Sequence, residues 1–373
     1  MSNESSTSAA WRIVDLFAGA GGLSHGFLTA SDRFEHIQGV ELDSAAAETY
    51  KANIGTVFSG SIEDWLTGEV PQADIVLGGP PCQGFSLLGK RDADDPRNHL
   101  WSNYLEAIAR IRPKIFVMEN VAAFANTDAF QAMSRDLEES LRFRRGDYTV
   151  SHKILNGADH GVAQNRKRVF IVGRLAGVGG FEFPAPQEKV KTVRDMIGGI
   201  PQPTTANWPE KTSNGIARGP YLTSELHIDR NYIELSRNRF KAIPPGGNRF
   251  DLPEELLAPC WKTHRSGSGD VMGRLRWDEP SVTIRTEFFK PEKGRYLHPT
   301  QHRAITHREA ALLQGFPDDY RWYGTRVEIA RQIGNAVPPP LARALAQSVL
   351  DAIEGDPRVS SAKDNEARLD RIA

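Results

Sequence analysis

Short apolar runs separated by amphipathic stretches fill the first half of the chain. RIVDLF (12–17), HIQGVEL (36–42), ADIVLGG (73–79) and KIFVMENV (114–121) are too short for buried helices and rich in large or β-branched apolar residues, which predicts buried strands. Between them, AGAGGLSHGFLTA (18–30) reads as a glycine turn entering a helix, and DSAAAETYKAN (43–53) as a helix. Leu100, Tyr104, Leu105 and Ile108 recur at helical spacing in LWSNYLEAIARI. YTVSHKILN (148–156) and KRVFIVGRL (167–175) predict two more strands. Apolar strands alternating with helices imply an α/β fold whose parallel sheet is covered on both faces.

The texture changes after about Phe183. Pro, Gly, Asn and Ser become frequent, as in IPQPTTANWP and AIPPGGNRFDLPEE, and long regular elements disappear. A second, smaller and irregular domain is expected here. Regularity returns in THREAALLQGF, where Thr306 and Glu309 have capping-box spacing. PPPLARALAQSVLDAIEG (338–355) reads as a closing helix opened by prolines. The expected boundaries are a polar tail at 1–10, a first domain at 11–185 and the irregular domain at 186–307. A return to the first domain follows at 308–354, then a charged tail at 355–373.

Composition narrows the class. The chain has 373 residues, 39% hydrophobic and 25% charged, ordinary for a globular protein. It has no apolar run of membrane-spanning length and no signal-peptide pattern at its N-terminus, so a cytoplasmic protein without a membrane partner is expected. Two cysteines, Cys82 and Cys260, make neither a disulfide framework nor a zinc site. Net charge is −1, yet residues 201–317 carry 17 Lys and Arg against 13 Asp and Glu, with five of the ten histidines. A local basic excess of this kind suits a phosphate-contacting face, although most such excesses are only solvated surface.

Candidate chemistry sits at the ends of the predicted strands. Gly19, Gly21 and Gly22 follow the first strand and allow a ligand to approach the backbone. The spacing is not GxGxxG, and no Lys follows, which excludes a P-loop. Glu41 ends the next strand, where a carboxylate can accept two ribose hydroxyls. In DIVLGGPPCQGFS, Pro80 and Pro81 stiffen the turn before Cys82, a pedestal suited to a thiolate nucleophile. A lone cysteine is more often a small buried hydrophobe. Glu119 ends another strand, where partial desolvation would raise its pKa and make it a proton donor near neutral pH. Alternation in QNRKRVF puts Arg166 and Arg168 on one face, able to hold a planar polar substrate or a phosphate. Asn335, in QIGNAVPPP, either caps the closing helix or reaches a ligand at the glycine loop.

Taken in order, DLFAGAGGLSHGF, GGPPCQGFS, MENV, QNRKRVF, THREAALLQGFP and QIGNAVPPP resemble the DNA (cytosine-5) methyltransferases over nearly the whole chain. The resemblance implies a Rossmann-like S-adenosylmethionine-dependent methyltransferase sheet with helices on both faces, plus a target-recognition domain at about 186–307. The implied cofactor residues are Asp15, Phe17, Ala18, Gly19, Gly21, Gly22 and Leu23 in the first block, and Glu41 and Leu42 in the second. Ser61, Ile62, Gly79, Pro81, Leu100, Asn335 and Val337 complete the set. Where the family often has an aspartate for the adenine amino group this chain has Ser61, which leaves Ser61, the Ile62 backbone and Asp64 as alternatives. Cys82 would attack C6 of cytosine, Glu119 would protonate or bind N3, Arg168 would hold O2, and Arg166 would order the cysteine loop. Gln83, Ser86 and Gln164 would contact the substrate, and SLLGKRDADDPRNHLW would be a loop closing over DNA and a flipped-out base. RLRWDEPSVTIRT, EKGRYLHPTQHR and AIPPGGNRF would supply groove and phosphate contacts.

The expected partner is double-stranded DNA, with no metal, acted on by a monomer in the nucleoid, with or without a restriction endonuclease of the same site. Cytosine-5 methylation of tRNA on the same fold is the nearest alternative. A nicotinamide oxidoreductase explains the glycine loop but not the cysteine, glutamate and arginine blocks together. A catalytically dead cofactor-binding partner does not explain why Cys82 and Glu119 are both present.

Overall fold

Central strands that are apolar on both faces explain the architecture seen in the computed structural model, which describes residues 10–81, 100–139, 147–205, 207–208, 218–263 and 266–355. The expectations for Cys82, Gln83, Ser86, the loop that follows them and both tails fall outside the described residues. Strands β1 (Trp11–Leu16), β4 (Ile75–Gly78) and β5 (Ile115–Val121) lie at the centre of a seven-stranded sheet. Ile13, Ile75, Leu77, Ile115 and Val117 face one apolar core, and Val14, Val76, Phe116 and Met118 face another. Both faces of each strand are therefore buried, which is why the runs carry no polar alternation.

One core is covered by α1 (Gly22–Leu28) and by the long C-terminal helix, which supplies Leu341, Leu345 and Val349. The other is covered by α4 (Leu100–Ile111), through Tyr104, Leu105 and Ile108. The outer strands on one side are β2 (Phe34–Glu41) and β3 (Val57–Ser59); on the other side they are β7 (Lys167–Leu175) and β6 (Tyr148–Asn156). The strand order is β3-β2-β1-β4-β5-β7-β6.

Two features depart from the sequence pattern. β7 runs antiparallel to β5 and to β6, so the sheet is mixed and not wholly parallel. The 157–166 connection holds only a 3-10 turn, too little chain for a helical crossover, which takes about a dozen residues or more. β3 was not expected at all, nor were α3 (Ile62–Thr67) after it and α5 (Asp128–Glu139) after β5.

The middle of the chain is irregular as expected. It has short helices α6 (Val193–Ile197), α7 (Glu234–Ala242) and α8 (Pro259–Thr263), and a two-residue strand β8 (Tyr221–Leu222). β8 pairs with β9 (Arg321–Trp322), beyond the expected boundary at 307. The core follows suit: Val193, Tyr221, Ile284 and Phe288 pack with Leu313, Phe316, Trp322 and Ile329. Thus α9 (His307–Gln314) and α10 (Arg326–Asn335) share an apolar core with the middle segment. The Thr306 capping box is formed, with Glu309 N–H donating to Oγ1 of Thr306 at 3.2 Å. The last helix, α11 (Pro339–Glu354), is capped by Pro338 and takes no side-chain cap from Asn335.

Candidate active site

Sheet register sets the site. Leu16 is paired with Val40 and with Gly78, and Gly78 with Met118. The next residue on each strand or loop is therefore Phe17, Glu41, Gly79 or Glu119, and these four form one row along the carboxyl edge. The chain order reverses between β1 and β4, the position where open α/β sheets hold their ligands. A cleft of ≈ 680 Å³ opens there, and all four residues line it.

The first loop makes one end of the cleft. Phe17 (φ 56°), Gly19 (φ 54°) and Gly21 (φ 86°) have left-handed backbones, so the chain turns sharply out of β1. A Cβ on Gly19 would meet nothing within 4 Å, whereas one on Gly22 would sit 2.2 Å from the Val337 carbonyl oxygen. Gly22 thus lets the glycine loop and the C-terminal block close on each other. Ala18, Gly22 and Leu23 line the cleft; Gly21 does not, being the αL residue that starts α1.

Two carboxylates face this loop. Glu41 accepts from the Gly19 N–H at 2.7 Å and the Asp43 N–H at 2.8 Å, while burial pushes its pKa up. Asp15 is wholly buried and accepts from Ser24 Oγ at 2.6 Å; Ser24 in turn lies 2.9 Å from the Tyr50 hydroxyl. Burial, opposed by the Ser24 bond and assisted by the nearby Glu41 charge, raises Asp15 to about 7. Further along the cleft, Leu42 stands 73% exposed, an apolar side chain held in the open beside Ser61 and Ile62. Ser61 caps α3 by accepting from the Asp64 N–H at 3.0 Å and donates to Asp64 Oδ2 at 2.8 Å. Leu100, Asn335 and Val337 complete the lining among the expected residues.

The other end of the cleft is charged. Glu119, Arg166 and Arg168 all line it. Arg168 stands opposite Val121 across the β5–β7 ladder and reaches diagonally, its Nε 2.9 Å from Glu119 Oε1. Burial raises the Glu119 pKa, and the Arg168 and Arg166 charges oppose that rise. Arg166 is fully buried and donates to the carbonyls of Ile284 at 3.2 Å and Gly334 at 2.9 Å. Burial pulls its guanidinium down to about 9, still charged at neutral pH. Asn120 Nδ2 donates to the Pro80 carbonyl at 3.1 Å and pins the Pro80–Pro81 turn at the cleft wall.

Gln164 is not in the cleft. It is completely buried between the middle segment and α9. The sequence reading missed Gln332, whose Nε2 donates to the Tyr323 carbonyl at 2.8 Å and whose buried Oε1 has no partner among the described residues. Arg331 was also missed; it lies 3.6 Å from Asp43 and links α10 to the start of α2 (Ser44–Asn53) across the cleft mouth. Thr325 and Glu328 form a capping box that marks the start of α10, the same signal that locates α9. Among the described residues no group of three or more His, Cys, Asp or Glu is placed to hold a metal ion. No described helix is long and apolar enough to cross a membrane.

The model of the C-5 cytosine-specific DNA methylase family matches residues 11–351. Type II methyltransferase M1.HphI of Haemophilus parahaemolyticus is 36% identical over 90% of this chain and 86% of its own length. Type II methyltransferase M.XorII of Xanthomonas oryzae pv. oryzae is 33% identical over 93% and 86%. Among solved structures, a prophage-encoded E. coli protein described as a DNA modification methyltransferase superimposes with a TM-score of 0.69 at 23% identity, covering 92% of this chain and 100% of its own. That last likeness is one of fold.

Proposed function

This chain belongs to the C-5 cytosine-specific DNA methylase family and is a DNA (cytosine-5)-methyltransferase; from that premise we propose that it uses S-adenosylmethionine to methylate a flipped-out cytosine within a specific duplex site, as a modification enzyme of the Type II kind. The observation that carries this reading is the single cleft that joins the glycine loop and Glu41 to the Glu119–Arg168 pair.

The cleft fits the cofactor. Glu41 has acceptor capacity left for ribose hydroxyls, and Leu42 offers an apolar face to a purine. Asp15 is a buried carboxyl suited to an ammonium group, and the unpartnered Gln332 Oε1 is an acceptor awaiting a donor. When bound, the cofactor supplies an electrophilic methyl group on a sulfonium.

C5 of cytosine is a weak nucleophile. In our reading the Cys82 thiolate adds to C6, which turns the C4–C5 bond into an enamine. Negative charge then develops at N3, where Glu119 donates a proton or hydrogen bond. Burial raises the Glu119 pKa and so favours the protonated carboxyl that can do so, while Arg168 orients it and holds O2 and Arg166 orders the cysteine loop. C5 takes the methyl group, a base removes the C5 proton, and the thiolate leaves, restoring the aromatic ring. A base stacked in a duplex presents C6 to no side chain, which requires flipping.

Labelled S-adenosylmethionine with duplex DNA and with tRNA tests the proposal, and bisulfite sequencing then maps the site. Label in DNA at one recurring sequence, abolished by Cys82→Ala, is the expected result. Label in tRNA alone, or full activity in Cys82→Ala, overturns it.

A further inference from the structure

We infer that Gln164 and Gln314 are positioning residues: a buried amide pair that locks segment 281–286 onto the chain entering β7 and so fixes the register in which DNA meets Arg168. The inference rests on the DNA methylation proposed above and on the DNA-reading role that the resemblance implies for the middle segment.

Both glutamines are completely buried, and both lie outside the cleft. Gln164 Nε2 donates to Gln314 Oε1 at 2.9 Å. Gln164 Oε1 accepts from the Ile284 N–H at 2.9 Å, and Gln314 Nε2 donates to the Ile333 carbonyl at 2.6 Å. Each amide thus has one orientation, since rotating either by half a turn would place donor against donor or acceptor against acceptor. Three parts of the chain meet through this pair: the approach to β7, the middle segment, and the α9–α10 unit whose last turn enters the cleft.

The neighbouring bonds show what is being aligned. Asn165 N–H donates to the Ser281 carbonyl at 2.8 Å, Ser281 N–H to the Ala163 carbonyl at 2.9 Å, and Thr283 Oγ1 to the Asn165 carbonyl at 2.7 Å. Ile284 is gripped at both ends, its N–H by Gln164 and its carbonyl by Arg166. The next residue, Arg285, is exposed, and its backbone packs on Gly334, one residue before Asn335 in the cleft wall; a Cβ on Gly334 would lie 2.5 Å from the Thr286 nitrogen. The pair therefore sets where Arg285 stands relative to Arg166 and Arg168. Slippage of about 1 Å at such a seam is enough to cost on the order of 10²-fold in rate.

The test compares Gln164→Met, Gln314→Met and the double variant. Each is assayed for kcat and KM on the mapped duplex, well below its melting temperature, with melting curves alongside. Each single variant should lose on the order of 10–10²-fold in kcat. Gln164→Met should bind S-adenosylmethionine, titrated directly, as wild type does. The double variant should be no slower than the worse single, because either change already opens the pair. Singles with wild-type kcat, or losses that multiply in the double, overturn the inference. Gln164→Glu serves where a methionine variant does not fold. Its carboxyl can accept from Ile284 and donate to Gln314 only when protonated, so kcat should recover at low pH relative to wild type, and a profile parallel to wild type counts against the pair. A wild-type protein that does not methylate DNA would instead bring down the functional reading itself.

Discussion

Two carboxyl groups, Asp15 and Glu119, are held where burial opposes their charge, and each carries a separate prediction. Glu119→Gln keeps the size of the side chain and one hydrogen bond beside Arg168 but cannot deliver a proton. Methylation should slow on the order of 10²–10³-fold while duplex binding persists. In wild type the rate should decline as pH rises through the raised Glu119 pKa, because the protonated acid is the active form, and the variant should lack that limb. A kcat and pH profile matching wild type would remove Glu119 from proton transfer. Asp15 tests stability. Its pKa is raised from the ordinary 3.8 to about 7, so between those values the folded chain holds a proton that the unfolded chain releases. That stabilisation is fully present below about 4 and is lost as pH rises through about 7. Asp15→Asn keeps an acceptor for Ser24 and never ionises. Without cofactor it should resist urea better than wild type at pH 8, by about 4 kcal/mol at most, with the gap closing toward pH 4. Equal stability at both pH values would show that the carboxylate is solvated. The same variant should bind S-adenosylmethionine more weakly, a case of function held at the expense of stability.

At the scale of elements, the first and last helices of the sheet domain are joined by the absence of a side chain. A Cβ on Gly26 would lie 2.3 Å from Ala342 Cβ and 2.7 Å from the Pro339 carbonyl oxygen. Gly26→Ala should therefore push α1 off α11 and destabilise by about 1–3 kcal/mol in denaturant titrations. Because α1 follows the glycine loop, the KM for S-adenosylmethionine should rise with it; a variant as stable as wild type would mean that the helices slide freely. The legibility of each element follows its length and patterning. β1, β4 and β5 were readable because both of their faces are buried, and α9 because Thr306 and Glu309 cap it. β3 was not, since the three residues Val57–Ser59 are too few to show a period. α10 carries a capping box at Thr325 and Glu328 and was legible in principle. The antiparallel turn of β7 was legible only from the shortness of 157–166. At the site, the cleft-lining loops followed from strand ends. The Ser24–Tyr50 contact to Asp15 and the glutamine pair did not, because contacts between residues far apart in the chain leave no local pattern.

Across the whole molecule, the exposed cations of the middle segment have to be separated from its scaffold. Arg274 donates to the carbonyls of Phe240, Ile243, His298 and Gln301, and Arg303 forms a buried two-pronged pair with Glu309 at 2.7 Å. These arginines hold the fold and cannot read bases, whereas Arg276, Arg285, Lys293 and His302 are exposed. If residues 186–307 choose the DNA site, grafting that segment from a relative should move the target to the donor's site. The shared core dictates how the graft is made. Val193, Tyr221 and Phe288 pack on Leu313, Phe316, Trp322 and Ile329, so a bare graft joins two unmatched apolar surfaces. Matching those four positions to the donor should restore stability without touching Glu119 or Arg168; Phe316 also packs against the glycine loop at Ala20 and Gly22, so it is the position to change last. An exposed Arg that reads a guanine edge should, as Ala, relax one position of the new site by about 1–3 kcal/mol. One that touches only phosphate should weaken all sequences alike and flatten the salt dependence. Methylation mapping of the folded chimaera at several salt concentrations distinguishes these outcomes. Should an active chimaera keep the original target, site choice would have to reside in the sheet domain and the segment would be reduced to a scaffold.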